Sequence, residues 1–164
     1  QLLAAHVERM SKEQKIVHRC TLPDGSDAGT FFAPTLVEID DISALTEEQF
    51  GPILHVVKFK SRHLDKAVAA VNGTGFGLSM GVHSRIDSRI AGLAADCGAG
   101  HLYVNRNMLG AVVGVQPFGG RGLSGTGPKA GGPHYVQRFG TEFTLSNNIS
   151  AVGGNASLLT LGSD

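Results

Sequence analysis

The chain has 164 residues, with 14 Lys plus Arg against 14 Asp plus Glu, 41% hydrophobic and 17% charged. A chain of this length and apolar content folds and buries roughly two thirds of its unfolded surface, which excludes a charge-driven disordered segment and a complete two-domain enzyme. A formal net charge of zero leaves no basic excess to release counterions from nucleic acid, so nucleic acid is not an expected partner.

The first residues, Gln1 to His6, have neither the basic start nor the apolar run of a leader, and no stretch of about 18 apolar residues spans a membrane. They read instead as mid-helix, with Leu3, Val7 and Met10 at helical spacing, so the chain is expected to be a piece of a longer protein. Two β-rich runs follow, Thr30 to Ile39 and Ile53 to Phe59. Leu64, Ala67, Val68 and Val71 then mark a helix, with Gly73 as the left-handed residue that stops it. Leu78 to His83 reads as a strand. Ser84 to Asp87 matches a capping box for a helix whose stripe is Ile86, Ile90, Leu93, Ala94 and Cys97. His101 to Val104 is the next strand. This alternation predicts an α/β fold built on a right-handed parallel sheet. Beyond it, a short helix is expected over Pro133 to Phe139 and an edge strand over Thr141 to Ser146, which would pair with another chain or another part of this one.

Glycine is over-represented, 23 residues in all, and eleven of them fall between Gly98 and Gly132. A phosphate cradle is one use for such a stretch. Its motifs are broken, however: Pro128 intrudes between Gly127 and Lys129, Ala130 stands where a metal-binding Ser or Thr is needed, and no strand feeds directly into a G-x-G-x-x-G turn. The plainer reading is a loop folded tightly against a cleft. Within it, backbone N–H groups at Gly110 and Ala111 could hold a carboxylate without a cation, beside Phe118 as an apolar wall; ordinary strand-end chemistry is the alternative.

Thr46 to Pro52 reads as a short helical turn breaking into a strand. On spacing alone it is an exposed acidic turn with a core Phe50. Glu48 and Phe50 would also suit a ribose diol beside a flat heterocycle. The two sparse cysteines fit a reducing, cytoplasmic setting. Cys97 reads as a buried small hydrophobe, and with His101 it falls short of a zinc ligand set. Cys20 follows Arg19, which could lower its pKa, but no His-Asn/Asp partnership is legible. No catalytic residue and no metal ligand is assigned.

Glu47-Glu48-Gln49-Phe50-Gly51-Pro52, then Pro117-Phe118-Gly119-Gly120, then Ser124-Gly125-Thr126-Gly127, in that order, resemble the carboxyl-terminal part of the aldehyde dehydrogenase catalytic domain. The longer runs Gly110 to Gly120 and Gly127 to Pro133 are similar to the Δ1-pyrroline-5-carboxylate dehydrogenase branch. With the tail Ala151 to Ala156, they most resemble the form fused to proline dehydrogenase in bifunctional proline utilization A flavoenzymes.

The resemblance implies a three-layer, parallel-sheet fragment of that catalytic domain over residues 1–140, and a strand and tail serving assembly over 141–164. The implied reaction oxidises L-glutamate γ-semialdehyde to L-glutamate with NAD. A thiolate attacks the aldehyde, hydride passes to NAD, and activated water releases the product. FAD would belong only to a fused proline dehydrogenase domain outside this chain. By motif, Glu48 would hold the nicotinamide ribose hydroxyls and Phe50 would lie beside the nicotinamide. Gly110 and Ala111 would anchor the substrate carboxylate, and Phe118 would wall the aliphatic chain. The family's nucleophilic cysteine, oxyanion-hole asparagine, general base and Rossmann domain lie upstream of Gln1. The chain alone is therefore expected to be inactive, with the upstream part and further copies of itself as partners. The alternative is a free-standing, non-catalytic assembly module.

Overall fold

Glu8 and Lys12, and Arg9 and Glu13, stand one turn apart along the first helix and pair at 2.8 and 3.0 Å, which leaves the opposite stripe of His6, Val7 and Met10 to be buried. This helix, α1 (Leu2–Glu13), opens a computed structural model that describes residues 2–109, 112 and 114–148. The chain divides into two compact units, Gln1–Gly132 and Pro133–Asp164.

In the first unit α1 runs directly into β1 (Lys15–Arg19), which pairs antiparallel with β2 (Thr35–Glu38), with a register slip between Ile16 and His18. β2 then pairs parallel with β3 (Ile53–Val56), Thr35 opposite Ile53 and Glu38 opposite Val56. Alternation along β2 sends Thr35 and Val37 inward. Met10, Val37 and Ile39 form the buried centre, with Ile16, Leu45, Ile53 and Val57 packed around it.

The second layer of elements starts with α2 (Leu64–Gly73), followed by β4 (Phe76–Gly77), β5 (Ser79–Val82), α3 (Asp87–Asp96), β6 (His101–Val104) and β7 (Arg121–Gly122). β5 and β6 are parallel, Ser79 opposite His101 and Val82 opposite Val104, while β4 and β7 form a short antiparallel pair. The parallel pairing expected from the sequence is therefore present twice, in β2–β3 and β5–β6, but in separate ladders rather than one continuous sheet.

Several local expectations are corrected. The two long β runs contract to four residues each, and Pro34, just before the first, lacks a ladder N–H. α2 stops through Gly75, at φ 78°, and not Gly73, which is still helical. The capping box does not form: α3 begins at Asp87, so that carboxylate sits in the first turn, and Ser84 Oγ accepts from the Ile86 N–H at 3.1 Å in a local turn.

Among the described residues of the second unit, Val136–Phe139 coils as a 3-10 turn, with the Tyr135 and Phe139 rings edge to face at 5.5 Å. The expected strand over Thr141 to Ser146 is absent, and residues 141–148 are irregular, with Phe143 and Leu145 exposed. A strand exists only by pairing, and this run pairs with no described segment. The tail from Ala151 onward, including the run Ala151 to Ala156, lies outside the described residues.

Candidate functional site

Asp41 begins the approach to the first candidate segment by accepting the Ser43 N–H at 2.9 Å, a cap that opens the 3-10 turn Ile42–Ala44; the Ser43 side chain, and then this backbone bond, hold the Asp41 carboxyl below its usual pKa. From Thr46 to Phe50 the backbone is irregular, without the helical turn expected there. Glu47 accepts from Gln49 Nε2 at 3.3 Å, while Glu48, next to it, is exposed and has no side-chain partner among the described residues. Phe50 is 90% exposed and so is not the core residue that spacing suggested. The following Gly51 lies so close to α1 that a Cβ there would meet Leu3 Cδ1 at 2.5 Å, so the chain passes against the helix at this point.

Two clefts flank this segment. A cleft of about 890 Å3 on the α1 side is lined by Leu3, His6, Phe31, Glu48 and Phe50. A smaller one of about 380 Å3 is lined by Glu48, His55, Asn72, Leu78, Ala99 and Ser124. Glu48 thus borders both. The same clefts are lined by a pair that sequence reading missed: His6 on α1 and His55 on β3 meet Nε2 to Nε2 at 2.8 Å, edge to face. Burial lowers the pKa of both imidazoles; Arg9 lowers both further, His6 also lowers His55, and Glu47 partly opposes the shift at His6. The signal available in the sequence was the place of His6 on the same helical stripe as Val7 and Met10.

The second candidate segment is the glycine-rich loop. Asn105 starts it at φ 54°, a conformation Asn tolerates, with its amide accepting the Ser84 N–H and donating to the Ser84 carbonyl at 2.9 and 3.0 Å. Gly110 and Ala111 lie outside the described residues. Further on, Phe118 and Ala130 exchange backbone hydrogen bonds of 3.0 and 2.7 Å. Lys129 Nζ donates to the Gly100 carbonyl at 2.7 Å and also to the Gly119 carbonyl, and its pKa is lowered by burial and by Arg121. The lysine of the broken phosphate motif is therefore committed to the loop itself. A Cβ at Gly100 would overlap the Gly119 carbonyl oxygen, and one at Gly120 would lie 2.5 Å from the Ser124 oxygen. Close packing of loop against strand accounts for these glycines, as the plainer reading had it.

Both cysteines are free. Cys20 is exposed, and Arg19 beside it lies 5.6 Å over the Phe32 ring. Cys97 caps α3, half-buried, with its thiol 3.9 Å from the Ala99 carbonyl. Among the described residues no group of three His, Cys, Asp or Glu side chains could hold a metal, and no helix is long and apolar enough to cross a membrane.

A model of the aldehyde dehydrogenase family matches residues 2–144. The chain belongs to the aldehyde dehydrogenase family. Its α/β elements are a fragment of the aldehyde dehydrogenase catalytic domain. Bifunctional protein PutA of Rhizobium meliloti is 48% identical over 154 residues, covering 94% of this chain and 13% of that protein. The 1-pyrroline-5-carboxylate dehydrogenase of Bacillus thuringiensis is 42% identical over 129 residues, 77% of this chain and 25% of the relative. Among solved structures, Bradyrhizobium japonicum proline utilization A superposes with a TM-score of 0.80 at 52% identity, covering 86% of this chain and 14% of that one. A 1-pyrroline-5-carboxylate dehydrogenase from Thermus with bound NAD gives 0.73 at 35% identity, covering 84% and 26%. This aldehyde dehydrogenase chain thus spans between 13% and 26% of the length of these relatives.

Proposed function

We propose that this chain supplies one wall of the active site of an NAD-dependent L-glutamate γ-semialdehyde dehydrogenase, in which it holds cofactor and substrate but not the nucleophile. The observation that carries this reading is the exposed Glu48–Phe50 edge. A carboxylate without a side-chain partner among the described residues and a 90% exposed ring, two residues apart on a cleft, fit a ribose diol and a nicotinamide respectively. The similarity to PutA and to 1-pyrroline-5-carboxylate dehydrogenases, one of them solved with NAD, supports the choice of cofactor and substrate.

When bound, NAD supplies the hydride acceptor. Glu48 accepts hydrogen bonds from the ribose hydroxyls and Phe50 packs beside the nicotinamide. The N–H groups of Gly110 and Ala111 hold the substrate carboxylate, and Phe118 shields the aliphatic chain from water. The thiolate and the general base come from the upstream part of the same enzyme, which is the partner this chain requires. Residues 1–140 form the catalytic-domain part and 141–164 a tail that serves assembly between copies, its exposed Phe143 and Leu145 being the supporting observation. Any FAD belongs to a separate, fused proline dehydrogenase domain. The setting is cytoplasmic, which suits two free cysteines.

The test is Glu48→Gln in the enzyme that carries this segment. Loss of a charge-assisted acceptor is expected to raise the KM for NAD about tenfold and leave the KM for the semialdehyde unchanged. An unchanged KM for NAD would remove Glu48 from the cofactor site.

A further inference from the structure

Three successive residues of the glycine-rich loop are tied down by three different groups. His101 Nε2 faces the Pro117 carbonyl at 2.9 Å, Ala130 pairs with the Phe118 backbone, and Lys129 Nζ reaches the Gly119 carbonyl. Of these groups, His101 also meets a partly exposed side chain. Its ring stacks on that of Phe118, centroids 4.9 Å apart and planes 17° off parallel.

His101 is in turn held from below. Its Nδ1 lies 2.9 Å from the Leu78 carbonyl, and residues two apart on β6 share a face, so its ring stacks on Tyr103 at 5.9 Å and 9°. The Arg106 guanidinium lies 4.8 Å over the Tyr103 ring. Tyr103 is buried, His101 half-buried and Phe118 41% exposed, so the stack runs from the interior to the surface and ends on the side chain assigned to the substrate. A carbonyl oxygen only accepts, so each contact of His101 is a bond when the facing nitrogen carries a hydrogen: the neutral ring makes one, the imidazolium both.

We propose that His101 is a positioning residue for substrate selection. It fixes the plane of Phe118 and the carbonyl before it, so that the exposed face of Phe118 meets the aliphatic chain of a short carboxylated aldehyde at one distance. This rests on the reading of Phe118 as the substrate wall.

The experiment is steady-state kinetics of the full-length enzyme carrying this segment, with L-glutamate γ-semialdehyde and with propanal, which has no carboxylate and little chain to shield. The variants are Phe118→Ala, His101→Ala, His101→Phe and the Phe118→Ala/His101→Ala pair. His101→Ala is expected to raise the KM for the semialdehyde about five- to tenfold with kcat within about twofold, leaving the KM for propanal and for NAD unchanged. His101→Phe keeps a stacked ring without the bond to Pro117 and is expected to fall between; it also serves as the variant that preserves volume should His101→Ala not fold. Adding His101→Ala to Phe118→Ala is expected to cost nothing more, since the first change has removed what the second acts through. Independent, additive losses would overturn the role of His101 and leave that of Phe118 standing, as would a loss shared equally by kcat, propanal and NAD. An unchanged KM in Phe118→Ala would remove the substrate wall itself, and the positioning role with it.

Discussion

A single hydrogen lies between His6 and His55, whose Nε2 atoms are 2.8 Å apart, so one ring donates, the other accepts, and protonating the acceptor breaks the bond. Both folded pKa values are lowered, chiefly by burial, from about 6.5 in the unfolded chain. Below that pH the unfolded state binds more protons than the folded one, so stability falls as pH drops from 6.5 through the lowered folded values and is fully present above it. Thermal melts from pH 8 to pH 5 should show that decline, and His55→Gln should flatten it; a melt independent of pH in the parent chain would contradict the pair. Among single residues, Glu48 and Phe50 could be picked from the sequence by their motif. Their exposure could not, because spacing says which residues are neighbours in the chain and not what covers them. The His6–His55 bond was illegible for the same reason: its partners are 49 residues apart.

Elements whose signal is local periodicity came through best. α1, α2 and α3 all form where their spacing marks them, with Val7 and Met10, Val68, and Leu93 inside, although Val71 and Ile86 of the marked stripes stay exposed. Strand limits and caps depend on partners and did worse: Ser84 engages Asn105, 21 residues on, and the run over Thr141 to Ser146 finds no edge. The glycine-rich loop was legible as a tight loop but not in its cause, which is direct backbone contact with the start of β6. Gly100→Ala tests that contact. The new Cβ would overlap the Gly119 carbonyl oxygen and crowd Lys129 Nζ, so the loop must move. Overpacking of this kind is expected to cost about 1–3 kcal/mol in denaturant unfolding. A neutral substitution would mean that the loop does not lie on the strand.

At the scale of the molecule, the first unit has a small buried centre and a cleft on which Leu2, Phe31 and Phe50 stand exposed. Side chains of this kind suit a surface covered by the upstream part of the enzyme, and the relatives, of which this chain spans 13 to 25%, have the length to supply it. The central claim is that the chain carries binding groups without a nucleophile. Its most direct test is NADH formation by the purified chain given Δ1-pyrroline-5-carboxylate and NAD, with a thermal melt to show that the sample is folded. The expected result is a cooperative melt and no NADH above the blank. Turnover abolished by Cys20→Ser or Cys97→Ser would contradict it, and would make that thiol the nucleophile.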